Sequence, residues 1–425
     1  MRATRRLAVT LGMLAVLCAA TGIDGALAQT VGQQVRAADL AALRELDVPA
    51  AWRVSRGEGV TVAVLDTGVN GNAPGLAGSV TYGPDYTAGA DPPGYQPPHL
   101  HGTYIASIIA AHGSGPGDSA GMVGVAPEAK ILSVRVILDD QEPGFQVYNE
   151  NADYYGAIAD GIRYAVRHGA GVINMSLGST VATRSVRLAL ADAVAHGVVV
   201  VASAGNSGTS GGGFTAYSYP ASFTGVISVA AVTASGRRAS FSDRNSSVVV
   251  CAPGVNIVGD GPGGSYLSGS GTSPAAAFVS GVVALIRSSY PRLTPVQVMQ
   301  ALVTSTRRRP AGGYSPSVGF GEVDAAAALR AAGRLAAAPP PAGTIAAAAR
   351  FGTGAIGPVV VLRRDATRIA LLIVVAAVAA AGFIATAWML VALARRRRRR
   401  PDPPPSRPAA PPGPAGPDVP ATTVS

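Results

Sequence analysis

The chain has 425 residues, 14% of them charged, and a formal net charge of +10 at pH 7. That length has room for two or three domains, or for one large domain with appendages. The positive charge sits at the ends: Arg2, Arg5 and Arg6 against Asp24 give +2 in residues 1–28, and seven arginines against Asp402 and Asp418 give +5 in residues 395–425, leaving +3 between. A nucleic-acid partner recognised through net basicity is therefore excluded.

Residues 1–28 read as a secretory signal. Arg2, Arg5 and Arg6 supply the charged start, Leu7 to Ala20 is almost wholly apolar, and Ala26-Leu27-Ala28 offers a small-x-small site for cleavage before Gln29. Cleavage would leave Cys251 as the single cysteine, so the exported part must rely on core packing instead of disulfides. Residues 29–49 form an N-terminal extension too short to fold as an independent inhibitory domain.

Residues 50–334 carry the pattern of one domain. Ala50 to Ser55 reads as a short helix, and Val60 to Leu65 as an apolar run of strand length that ends in Asp66-Thr67-Gly68. Ile131 to Val136, Gly171 to Met175, Val198 to Ala202, Val226 to Ala231 and Val248 to Ala252 are similar runs. Near-continuous apolarity is what strands covered on both faces of a parallel sheet require. Tyr155, Ile158, Ile162, Ala165 and Val166 mark one face of a helix closing near Gly169; Val186, Leu188, Leu190, Ala191 and Val194 mark another closing at Gly197. A long helix follows Ser273, with two more over Thr294–Thr306 and Glu322–Ala332. The alternation predicts an α/β fold, a doubly wound, mostly parallel sheet with helices on both faces.

Residues 335–368, rich in Ala, Gly and Pro, read as a linker. Residues 369–394 carry no charge, and at helical rise they span ~39 Å, enough to cross a bilayer once. Arg395 to Arg400 open a basic, then Pro-rich tail over 395–425. The positive-inside rule keeps that tail cytoplasmic and puts the domain outside the cell membrane.

In such a sheet, working residues gather beyond the carboxyl ends of the strands. Asp66 ends one strand and Asn206 follows another, so both fall on the same rim. Taken singly, four motifs have plain structural readings: Asp66 and Asn206 as turn residues, His101 as a cap or core histidine, Ser273 as a helix N-cap. Ser273 also has a chemical reading. At a loop-to-helix junction its hydroxyl stands clear, and free N–H groups and the helix dipole face any developing oxyanion.

Order decides between them. Asp66-Thr67-Gly68 after the first strand, His101-Gly102-Thr103 and Gly271-Thr272-Ser273 at helix starts, and Ala204-Gly205-Asn206 after a strand resemble the subtilisin-like serine peptidases, over roughly residues 50–330. The resemblance implies a serine endopeptidase acting on protein or peptide substrates; no cofactor and no metal site is read from the residues. It makes Ser273 the nucleophile, His101 the general base and acid, Asp66 the group that orients the imidazole, and Asn206 the side-chain oxyanion donor beside the Ser273 N–H. It also implies that Ser176, Leu177 and Gly178 form an edge for the substrate backbone. Ala202, Ser203, Ala204 and Gly205 would line the opposite wall, small residues that argue against a charged floor.

The whole layout, from signal to basic cytoplasmic end, resembles the mycosins, membrane-anchored proteases associated with type VII secretion. That implies cleavage of secretion components or secreted substrates, with a mainly structural role in a secretion complex as the alternative. Two features depart from that family: the disulfide-forming cysteines are missing, and Pro274 follows Ser273 directly while Ala277 takes the usual proline position.

Other motifs are weaker. Gly208-Thr209-Ser210-Gly211-Gly212 fits a nucleophile elbow, but no helix pattern follows it. Asp91, His99 and His101 lack further metal ligands. Asp139, Asp140 and Glu142 read as a solvated loop in preference to a calcium site. Arg307 to Arg309 read as a surface run.

Overall fold

The computed structural model describes residues 24–211, 213–338 and 366–398. Contacts divide the chain into two units, Met1–Pro340 and Pro341–Ser425. In the first unit lie β1 (Thr61–Asp66), β2 (Val80–Asp85), β3 (His112–Ser114), β4 (Ala120–Val123), β5 (Lys130–Arg135), β6 (Val172–Met175), β7 (Val199–Ser203), β8 (Val226–Val232), β9 (Val250–Pro253), β10 (Ile257–Asp260) and β11 (Tyr266–Gly269). Seven of them form a parallel sheet in the order β2-β5-β1-β6-β7-β8-β9; β3 with β4 and β10 with β11 are antiparallel pairs. The six apolar runs read from the sequence all enter the large sheet. β2 was not anticipated, because it is an edge strand, half exposed, and needs no apolar run.

The helices are α1 (Asp24–Glu45), α2 (Val48–Ala51), α3 (Leu100–Ala110), α4 (Phe145–Glu150), α5 (Ala157–Arg167), α6 (Arg184–Ala195), α7 (Thr272–Ser289), α8 (Pro295–Thr304) and α9 (Ala325–Ala337). β1 shows why both sheet faces are covered. Val62 and Val64 pack with α3 and α7, whereas Ala63 and Leu65 pack with α5 and α6. α7 is buried almost all round, from Pro274 to Arg287, so its near-uniform apolarity is that of a core helix. Because β1 lies between β5 and β6, the chain winds first to one side and then to the other. The crevice this creates opens at the carboxyl end of β1, where Asp66 sits.

One boundary differs from expectation. α9 starts at Ala325 because Asp324 Oδ1 accepts the Ala327 N–H at 2.7 Å and caps it. Glu322, expected inside that helix, is instead a buried carboxylate in extended chain that takes Arg307 at 3.1 Å and Arg308 at 2.6 Å. Arg307 and Arg308 are therefore fastened to the domain and are not a free surface run.

The extension docks on the domain. Leu43 and Leu46 are fully buried, each stabilising the contact by about 2–3 kcal/mol. Arg36 Nε donates to Gly121 O at 2.7 Å, and Asp39 Oδ2 accepts the Val123 N–H at 2.8 Å. α1 runs through the Ala28–Gln29 junction where cleavage is expected. The rest of the predicted signal, residues 1–23, lies outside the described residues, as do linker residues 339–365 and tail residues 399–425. In the second unit, α10 (Ala366–Arg398) contains Ile373–Ala392, 20 residues of mean hydropathy 2.3, long and apolar enough to cross a membrane.

Candidate active site

Asp66 is fully buried at the end of β1. Its Oδ1 accepts the Thr67 N–H at 2.8 Å and meets His101 Nδ1 at 2.7 Å. The start of α3 is tied to the turn after β1 by three bonds. Gly102 N–H donates to Thr67 Oγ1 at 3.1 Å, His99 Nδ1–H to Thr67 O at 2.7 Å, and Asn70 N–H to Thr103 Oγ1 at 2.8 Å. Contact is so close that a Cβ at Gly102 would lie 2.0 Å from Gly68 O, so only glycine is tolerated there. His99 thus serves the turn, which accounts for it without a metal. Among the described residues no cluster of three or more His, Cys, Asp or Glu side chains is arranged to hold a metal ion.

With Nδ1–H given to Asp66, neutral His101 keeps Nε2 as a free acceptor. Burial works against protonating the ring, but the Asp66 charge and hydrogen bond, with Asp139 adding to them, outweigh it and raise the His101 pKa above its ordinary value. Asp139 was expected in a solvated loop with Asp140 and Glu142. Instead it is half-buried close enough to His101 to act on it electrostatically, and burial raises its own pKa. Glu142 is buried and pairs with Arg135, which also bonds Asp85 and Asp91 at 3.0 Å each. Strand β5 thereby anchors the loops that flank His101.

Ser273 is the second residue of α7, inside the first turn, where backbone N–H groups have no intrahelical acceptor. Its Oγ donates to Ser176 O at 3.1 Å, while Ser176 Oγ donates to Ser273 O at 3.1 Å. Pro274 is buried in the same turn, where its missing N–H removes no helical bond. Asn206 Oδ1 accepts both the N–H and the hydroxyl of Thr272, at 2.9 Å each.

Ser273 opens onto a cavity of about 280 Å³. Ser176, Leu177, Gly178, Ser203, Gly205 and Asn206 are among the residues that line it. Ala202 and Ala204 do not: both are buried in the core, because successive residues at the end of a strand point to opposite faces. Sequence reasoning missed Thr272, Ser218 and Asp243. Thr272 was within reach as the middle of the Gly-Thr-Ser motif; Asp243 carried no local signal and puts a carboxylate where an uncharged lining was expected. None of the cavity-lining residues comes from the N-terminal extension.

A buried carboxylate–imidazole pair and a serine at a helix start, gathered at the carboxyl edge of a parallel α/β sheet, define the class: a serine peptidase of subtilisin-like fold. The chain belongs to the Peptidase S8 subtilase family, whose profile matches residues 57–321. It is 40% identical over 245 residues to thermitase of Thermoactinomyces vulgaris, a match covering 58% of this chain and 81% of that one. Among solved structures it is similar to MycP3 protease from the type VII (ESX-3) secretion system, at 32% identity and TM-score 0.57, covering 68% of this chain and 87% of that one. MycP1 from Mycobacterium smegmatis is alike at 29% identity and TM-score 0.58, covering 68% and 84%. The chain is a serine endopeptidase of this family.

Proposed function

We propose that the chain is a single-pass, membrane-anchored endopeptidase that works outside the cell membrane on components or substrates of a type VII secretion system. The catalytic part of this reading is carried by one observation, the 2.7 Å Asp66–His101 pair at the carboxyl end of β1, with Ser273 at the head of α7 bonded to Ser176 just past the neighbouring strand β6. In this reading the Ser273 hydroxyl exchanges Ser176 O for His101 Nε2 as its acceptor. The imidazole takes the proton as Oγ attacks the substrate carbonyl carbon, and Asp66 stabilises the imidazolium. Negative charge on the carbonyl oxygen is met by Asn206 Nδ2 and the Ser273 N–H. His101 then protonates the leaving amine, and water hydrolyses the acyl-enzyme by the same proton path.

The anchoring part is supported by the 20-residue apolar segment in α10 and the Arg395–Arg400 run that follows it. The secretion role is supported by the likeness to MycP3 and MycP1. A fluorophosphonate probe tests the chemistry: the purified protein should be labelled and its Ser273→Ala variant should not. Equal labelling of both, or of neither, would sink the assignment. Cleavage of the domain by protease added outside intact cells, with the tail protected, tests the orientation.

A further inference from the structure

The cavity beside Ser273 is cut between two glycine walls. A Cβ on Gly178 would lie 2.4 Å from Ser218 Oγ, and a Cβ on Gly205 would lie 2.2 Å from Asp243 Oδ2. Both walls are bare of side chains, and what faces them is a hydroxyl and a carboxylate. Asp243 is only 2% exposed. Its backbone N–H donates to Gly205 O at 2.9 Å, and its Oδ1 accepts the Ser207 N–H at 2.8 Å. One carboxylate oxygen is thus tied to the wall, and the other, Oδ2, packs against Gly205 in the place a side chain would take, with the Thr215 side chain as a neighbouring hydrogen-bonding group, while the residue lines the cavity.

Asp243 is the charged residue among those lining the cavity. Arg238 acts on it through space, but the Arg238 guanidinium is engaged by the carbonyl oxygens of Thr209, Ala239, Ser240 and Ser242. A carboxylate held in so closed a place is poorly solvated, and an arriving cation offsets that cost where a neutral group cannot.

We propose that Asp243 makes this slot select a lysine or arginine side chain as the residue before the scissile bond. The proposal rests on the reading of Ser273 as the nucleophile. An unbranched side chain passes between Gly178 and Gly205, its stem against Leu177 and its charged end at Asp243 Oδ2, with Ser218 Oγ as a second acceptor. A charge-assisted contact of this kind discriminates by ~10–100-fold, because the neutral competitor leaves the poorly solvated carboxylate without a cation at the cavity side.

The test uses fluorogenic peptide amides that differ only in the last residue: arginine, its neutral isostere citrulline, lysine, leucine and alanine. The expected result is a kcat/KM for arginine at least ~10-fold above that for citrulline, with the ratio falling toward one in Asp243→Asn, which keeps the acceptor for Ser207 N–H. A ratio near one in the wild type, or an unchanged ratio in the variant, overturns the proposal. Should the variant not fold, the wild type still decides. Benzamidine should protect Ser273 from the fluorophosphonate probe and neutral benzamide should not; equal protection or none by the two overturns it. Labelling of Ser273 with no arginine preference defeats this proposal alone, whereas absence of labelling defeats the nucleophile assignment beneath it.

Discussion

Thr272 holds Asn206 from two directions, its N–H and its hydroxyl both donating to Asn206 Oδ1 at 2.9 Å. Two donors on one atom identify that atom as the amide oxygen and leave Nδ2 to donate to a ligand. Thr272 Oγ1 in turn accepts the Gly205 N–H at 3.2 Å, so the residue joins the head of α7 to the turn after β7. Asn206→Ala should therefore lower kcat by ~10²–10³ with little change in KM. Thr272→Val, which keeps the N–H contact and loses the hydroxyl, should cost less, about tenfold. Steady-state kinetics checks both, and an unchanged kcat in Asn206→Ala would remove Asn206 from its role.

The raised His101 pKa sets the acid limb of activity. The ring must be neutral to accept the Ser273 proton, so kcat/KM should climb with pH through a value above the ordinary 6.5. Asp139→Asn removes one negative charge that favours the imidazolium, and should move the limb down in pH. A purely structural Asp139 would change stability without moving the limb. Asp66→Asn should do far more, lowering kcat by roughly 10⁴ through loss of the imidazole's orientation and its charge partner.

Docking of α1 should depend on pH through Asp39. Burial pushes the Asp39 carboxyl up to about 7 from 3.8, with nearby Asp260 adding to the rise and Arg36 and the Val123 N–H opposing it. The folded form thus favours the protonated acid. Its stabilising contribution is full below the unfolded value near 3.8 and is lost as pH rises through about 7. Asp260, pushed up to about 6, acts in the same direction. Asp39→Asn should raise the Tm by several degrees at pH 8 and leave it nearly unchanged at pH 4, read by thermal melts across that range. A Tm lowered equally at both pH values would contradict the account.

Arg135 is the cation of a three-carboxylate group, with Asp85, Asp91 and Glu142 around it. Removing it as Arg135→Met leaves those acids facing one another across a largely buried site. The loss should be about 3–5 kcal/mol in chemical denaturation. Glu142→Gln, which keeps a hydrogen-bonding side chain and removes one of the acids, should cost much less, since burial already pushes the Glu142 carboxyl up to about 7.

Legibility in the sequence followed local chemistry. Strands β1, β5, β6, β7, β8 and β9 were readable because burial on both faces demands continuous apolarity, and α5 and α6 because one covered face imprints a helical period. Strand β2 was not, since an edge needs no such run. The start of α9 was misplaced because Glu322 looks like a helix residue until its partners Arg307 and Arg308 are seen. Ala202 and Ala204 were assigned to the cavity with their neighbours because the direction of each side chain at a strand end depends on where the strand stops.

By itself the sequence determined which residues could react: Asp66 after a strand, His101 and Ser273 at helix starts, Asn206 at a turn, each set by adjacent glycines and by apolar runs within a few positions. The tertiary structure alone decided what those residues meet. Sheet order brings Asp66 within 2.7 Å of His101 across 35 residues, turns the Ser273 hydroxyl to Ser176 across 97, and carries Asp243 to the turn after Asn206 across 36. Local conformation follows from neighbours in the chain, whereas charge inside a cavity depends on packing between segments that carry no mark of each other.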